Sequence, residues 1–222
     1  MQIGDVNISF LGHAGFLLEF NLKKIYIDPF KVSEGLPKAD LILVTHTHFD
    51  HCSIADIEKV SKEGTTIVVP ADAQSKINRV KNVSMQVVEV GDEIEVYGMK
   101  IKTLPAYNVG KEHHPKKEGW LGYVIKTDKF VIYHSGDTDN IPEMKNLTGY
   151  GKKGSNFIVL LPVSGEYVLD AEEAADVAHM LSPDLAIPMH YGSGVAGTIE
   201  DAQKFVELCK EKGINAEMLE RI

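Results

Sequence analysis

Four side chains able to bind a metal ion crowd one short stretch: His46, His48, Asp50 and His51, within Thr45-His-Thr-His-Phe-Asp-His-Cys52. Imidazole nitrogen and carboxylate oxygen are the ligands a catalytic zinc-type ion uses when one position stays open for water. His46 and His48 are two residues apart, so in extended chain their rings point the same way. Asp50 and His51 follow a turn and approach the same point from another side. The alternative is a polar loop in which histidines merely cluster.

The apolar run Leu41-Ile-Leu-Val44 reads as a buried strand that stops where the polar cluster begins. Upstream, Val6–Phe10 and Phe16–Phe20 read as strands joined by a tight turn around His13, and Lys24–Asp28 as a third, ended by Pro29. Downstream, Ser53 and Asp56 fit the start of a short helix with Ile54, Ile57 and Val60 inward and Gly64 as its stop. Thr66–Val69, Met85–Val90, Glu93–Tyr97 and Met99–Leu104 are further strands, with a short helix from Asp72 to Arg79 among them. Residues 105–120 are irregular and polar, the mark of a functional or disordered loop. Leu121–Lys126 and Phe130–His134 predict a hairpin that runs into Ser135-Gly-Asp137. Phe157–Leu161 and Leu185–Met189 are buried strands, and the second delivers His190. Asp170 with Glu173 makes a capping box for a helix with Ala174, Val177, Ala178 and Leu181 inward. Thr198 caps the last long helix, with Phe205 and Leu208 inward and Gly213 as its stop.

The chain has 222 residues, 44% of them apolar, and 23 basic against 32 acidic side chains, a net charge of −9. That length fills one core, so a single domain over residues 1–222 is expected. An acidic protein is a poor partner for nucleic acid and for anionic membranes. No run is apolar and long enough to span a bilayer, and no basic-then-apolar leader opens the chain. Cys52 and Cys209 make no disulfide framework, which points to a reducing, cytoplasmic setting. A small-molecule substrate is expected, and a homo-oligomer is compatible with the composition.

His-x-His-x-Asp-His at the end of an apolar strand resembles the signature of the metallo-β-lactamase superfamily. Gly12-His-Ala-Gly-Phe-Leu-Leu-Glu-Phe20 and Ile25-Tyr-Ile-Asp-Pro-Phe30 are similar to the opening of one branch. That branch contains the ascorbate-utilisation lactonase and the phosphodiesterase that cleaves N-acyl phosphatidylethanolamine. The resemblance implies an α/β (α+β) fold, a four-layer αββα sandwich. It also implies zinc, as one or two ions, although manganese and iron suit the same donors. Laid on this chain, the superfamily pattern gives His46 and His48 to the first ion, Asp50 and His51 to the second, Asp137 as the bridging carboxylate and His190 as the last histidine of the second ion. Asp28 would hold a ligand imidazole by its other N–H; an aspartate that merely starts a turn is the alternative. His13 and His134 are further candidates to support the ligands.

One position departs from the pattern. Where the superfamily places a histidine after a strand, this chain has Asn108, and an amide oxygen is a weak zinc ligand. Either the first ion is held by fewer side chains, or His113 or His114 swings in from the loop; His114 is the choice made here, with Trp120 and Tyr107 shielding it. Asp139 reads as a loop charge, His179 as a surface residue and Cys52 as packing. The expected activity is hydrolysis by metal-bound hydroxide of a lactone, ester or phosphodiester, with Asp50 taking or orienting the proton. A non-catalytic metal-binding protein or a redox protein of the same fold is the alternative.

Overall fold

The structure, a computed structural model, describes residues 1–152 and 154–222. The chain forms two compact units, Met1–Glu89 with Leu219–Ile222, and Val90–Met218.

In the first unit, β1 (Gln2–Ile3), β2 (Val6–Gly12), β3 (Gly15–Phe20), β4 (Lys23–Ile27), β5 (Leu41–Leu43), β6 (Thr65–Val69) and β7 (Val83–Val87) lie side by side in sequence order. Pairing is antiparallel from β1 to β4 and parallel from β4 to β7. Parallel neighbours need crossovers. Helix α1 (Ile54–Val60) lies between β5 and β6, and α2 (Gln74–Ile77) between β6 and β7. Tyr26, Ile42 and Ile67 from three adjacent strands pack with Ile57 and Val60 of α1 and Ile77 of α2 in one apolar cluster. Ser53 caps α1 by accepting the Asp56 N–H, an arrangement worth about 1 kcal/mol. The helix stops before Gly64, because Ser61 turns extended and bonds its hydroxyl back to the Ile57 carbonyl at 2.7 Å. The helix expected over 72–79 is a 3-10 turn, Ala71–Ala73, followed by the single turn of α2. β7 begins and ends earlier than the alternation suggested, since its partner β6 supplies hydrogen bonds only as far as Val69, before Pro70. The last residues return to this unit: Arg221 bridges to Phe10, and the Ile222 N–H donates to the Phe10 carbonyl at 3.0 Å.

In the second unit, β8 (Glu93–Val96), β9 (Met99–Pro105), β10 (Leu121–Lys126), β11 (Phe130–His134), β12 (Asn156–Pro162) and β13 (Leu185–Met189) also form one sheet in sequence order. The change from antiparallel to parallel comes at β11. Helix α3 (Ala171–Leu181) is the crossover from β12 to β13, and α4 (Ile199–Glu211) packs against α3 and β13. Both helices open with complete capping boxes, Asp170 with Glu173 and Thr198 with Asp201. The buried face of α4 is Ala202, Phe205 and Cys209; Leu208, expected inward, lies on the flank of that stripe and is half-buried. No helix among the described residues is long and apolar enough to cross a membrane.

Parallel strands direct their carboxyl ends to one edge of a sheet, where loops can carry chemistry. In the first sheet, β4 and β5 deliver Asp28 and Thr45-His46 there. In the second, β11 leads to Asp137 and β13 to His190.

Candidate metal centre

In the first unit the chemistry starts from Asp28, which is completely buried. The Thr45 N–H donates to its Oδ1 at 2.8 Å, and its Oδ2 accepts from the Thr45 hydroxyl at 2.5 Å and His51 Nδ1 at 2.7 Å. A carboxylate only accepts, so His51 carries its proton on Nδ1. The Thr45 hydroxyl spends its proton on Asp28, so its oxygen accepts from His46 Nδ1, 2.9 Å away. One carboxylate thus fixes the tautomers of two imidazoles and turns both Nε2 lone pairs to the same task. Asp28, His46 and His51 have donor atoms within 4.8 Å of one another. The Asp28 oxygens are committed to three hydrogen bonds, however, so this residue holds the rings and has no oxygen left over for a cation. Asp50 is buried too, and its Oδ2 lies 2.8 Å from His13 Nε2 and 3.8 Å from His51 Nε2. His48 is half-buried, its ring 4.7 Å from that of His46. Phe49, between His48 and Asp50 in sequence, is 65% exposed, and its ring stands edge-on to that of Phe30 at 5.9 Å.

In the second unit three ligand candidates converge. His114 Nε2 lies 3.2 Å from Asp137 Oδ2, and His190 Nε2 lies 3.1 Å from the same oxygen. All three residues are buried. The far nitrogen of His190 sits 2.8 Å from the Ser164 hydroxyl. That of His114 sits 3.1 Å from both Asn108 Oδ1 and the Tyr167 carbonyl. Both of those partners are acceptors, so the His114 proton is on Nδ1. Its Nε2 lone pair therefore faces a carboxylate oxygen, a contact that repels unless positive charge sits with it. A metal ion would supply that positive charge, and the donor set of imidazole and carboxylate suits a zinc-type ion.

Gly136 makes the turn before Asp137. It has φ +64°, and a Cβ there would collide with the Leu121 carbonyl. His134 supports that turn by accepting the Gly136 N–H at its Nδ1, 3.2 Å away, and is not part of the ligand group. His113 is exposed, with its ring against Tyr167. Trp120 lies 5.5 Å ring to ring from His114. Tyr107 does something else: its ring lies under Lys116 and its hydroxyl donates to Glu143, bracing the base of the loop. Lys116 holds the Glu143 carboxyl below the usual range. Burial pushes the Tyr191 hydroxyl, next to His190, up to about 12, so it remains protonated. Cys52 is buried, its thiol pushed up to about 11 by that burial, which fits packing. His179 is on the surface.

Asp139 corrects the sequence expectation. It is 5% exposed and takes bonds from Asn108 Nδ2, the Val109 N–H and Lys111 Nζ, so it is a buried anchor and not a loop charge. Thr45, Ser164 and the Tyr167 carbonyl were also missed. Nothing in a lone hydroxyl or peptide bond announces an imidazole partner 26 or 53 residues away. Backbone strain was equally invisible. His13, Asp28 and His190 all have positive φ, of 56°, 42° and 64°, although none is glycine.

A family model described as a β-lactamase superfamily domain matches residues 7–190. The chain is similar to a UPF0173 metal-dependent hydrolase of Methanopyrus kandleri, at 32% identity over 231 residues and 96% of each chain. It is also similar to a crystal structure from Parabacteroides distasonis of a protein named as a metal-dependent hydrolase, with TM-score 0.83 and 31% identity over 98% of this chain and 94% of that one. Igni18, a metallo hydrolase of Ignicoccus hospitalis, shares the fold at TM-score 0.76 and 23% identity, over 97% of this chain and 95% of that one.

Proposed function

Because the chain belongs to the β-lactamase superfamily and is a metal-dependent hydrolase, we propose that it hydrolyses a lactone, ester or phosphodiester of a small molecule. Its fold is the α/β metallo-β-lactamase fold, built here from two mixed sheets with helices. The ligands we propose are His46, His48, Asp50 and His51 in the first unit and His114, Asp137 and His190 in the second, with zinc as the ion. One observation supports this reading: the His46, His51 and His114 rings are each held through Nδ1, which would leave Nε2 as the coordinating nitrogen. A zinc-type ion held there would lower the pKa of a coordinated water to about 7 and polarise the substrate oxygen.

The chain's own groups do the rest. Asp28 and Thr45 pre-orient two imidazoles, so no reorganisation is needed when substrate arrives. Asp50, with Oδ2 held by His13, takes the proton of the attacking water. Trp120 keeps bulk water from His114. The similarity of the Gly12–Phe20 and Ile25–Phe30 stretches to the lactonase and phosphodiesterase branch supports a lactone or phosphodiester over a β-lactam. Two buried free thiols, Cys52 and Cys209, fit a reducing compartment.

The test is metal analysis of the purified chain, with hydrolysis of a lactone, ester and phosphodiester panel measured before and after chelation. Hydrolysis of one class that chelator abolishes and zinc restores is expected. A metal-loaded protein inert toward all three classes would overturn the substrate reading; a protein without transition metal would overturn the site.

A further inference from the structure

We infer that Asp139 is a positioning residue that fixes His114 through the side-chain amide of Asn108, an inference resting on the reading of His114 as a metal ligand. The orientation of the amide is dictated by its surroundings. Its nitrogen lies 3.1 Å from Asp139 Oδ1 and 2.9 Å from the Tyr167 carbonyl, two atoms that only accept. The amide oxygen must therefore face the other way. There it accepts the His114 backbone N–H at 2.9 Å and lies 3.1 Å from His114 Nδ1. Turned over, the amide would set oxygen against two oxygens and NH2 against an N–H.

Asp139 is thus the far end of a carboxylate–amide–imidazole relay. Its Oδ2 takes the Val109 N–H at 2.8 Å, and Lys111 Nζ reaches its Oδ1 at 2.8 Å and the Val168 carbonyl at 2.7 Å. Lys111 supplies the cation without which a carboxylate so deeply buried would be costly. All these donors come from residues 108–111, so one carboxylate both anchors the loop and sets the ring it carries. In the first unit Asp28 reaches His51 Nδ1 directly at 2.7 Å. In the second, the amide fills the gap between carboxylate and imidazole. On this account Asn108 is no ligand; it carries orientation from Asp139 to the histidine that replaces the expected one.

The experiment measures zinc affinity of the 222-residue chain by competition with a chelating indicator, alongside melting of the metal-free forms. Asp139→Asn should weaken the site that His114→Ala removes by about 10–100-fold, the usual cost of losing a partner behind a ligating histidine. If the relay runs through the amide, Asp139→Asn added to Asn108→Leu should cost less than half, on a logarithmic scale, of what it costs alone. A purely structural anchor would lower the melting midpoint and leave zinc affinity within twofold of wild type, and that result overturns the relay. So does full additivity of the two substitutions. Should Asp139→Asn fail to fold, Lys111→Met loosens the same anchor from its exposed side and must weaken zinc in the same direction; unchanged affinity there overturns the relay too. If His114→Ala keeps wild-type zinc affinity, the ligand reading falls and the relay with it.

Discussion

Replacing Asp28 by asparagine tests how much of the metal centre depends on one buried acceptor. The amide keeps the volume but offers one oxygen where the carboxylate had two. Three donors converge here: the Thr45 N–H on Oδ1, and the Thr45 hydroxyl and His51 Nδ1 on Oδ2. If the amide oxygen stays with the Thr45 N–H, its NH2 meets His51 Nδ1. The imidazole must then move its proton to Nε2, and the lone pair turns away from the metal. Loss of such a partner costs about 10–100-fold in metal affinity, which is about 1.4–2.7 kcal/mol at 1.36 kcal/mol per decade. If the oxygen stays with His51, the NH2 faces the Thr45 N–H and leaves a buried donor unsatisfied, at about 1–3 kcal/mol of folding stability. The two orientations therefore move the loss between metal binding and folding without removing it. Zinc competition and urea denaturation of the metal-free protein, run together, should show a combined loss of about 1.5–3 kcal/mol. Changes below about 0.5 kcal/mol in both, the size of a neutral surface substitution, would mean that Asp28 only starts a turn.

Purified protein should carry a transition metal that the His46→Ala/His48→Ala double variant lacks by elemental analysis; equal content in the two would refute the assignment. Phe49→Ala should leave the melting temperature nearly unchanged, since the side chain is 65% exposed, but raise KM for substrates with an apolar group near the scissile bond. An unchanged KM across a chain-length series would remove Phe49 from the substrate surface. Burial raises the Cys209 thiol from 9.0 to about 12, so the folded state binds that proton more tightly than the unfolded chain does. Its contribution to stability is whole below pH 9.0 and is lost progressively as pH rises towards 12. Wild type should accordingly lose more melting temperature than Cys209→Ala between about pH 9 and about pH 11, and parallel melting curves would contradict this.

The parts legible in the sequence were those with a local physical signature. Leu121–Lys126, Phe130–His134 and Leu185–Met189 have the expected boundaries because continuous apolar runs end at turn residues. The capping box at Asp170 was equally plain, because both partners lie within one turn. The cluster of His46, His48, Asp50 and His51 was legible as a set of candidate ligands because all four lie within six residues. What supports them could not be read the same way. Thr45 looks like any strand-end threonine until Asp28, 17 residues away, takes its proton. Asp139 looks like loop polarity until Lys111, 28 residues earlier, is found against it. β1 is only two residues long, too short to show any alternation.

The loop that carries His114 is closed twice. The Ala106 N–H meets the Trp120 carbonyl at 2.9 Å, and inside that neck the Asn108 N–H meets the His114 carbonyl at 2.7 Å. Residues 115–119 lie outside the inner closure, and Lys116, Lys117 and Glu118 are exposed. The backbone closure that holds His114 is thus separate from the exposed segment that follows it. Chain inserted between Lys117 and Gly119 would lengthen only the exposed segment, while Lys116 stays on Tyr107 and Glu143 and the inner closure keeps its hold on His114. Substrate contacts built on such a segment would leave the position of His114 undisturbed.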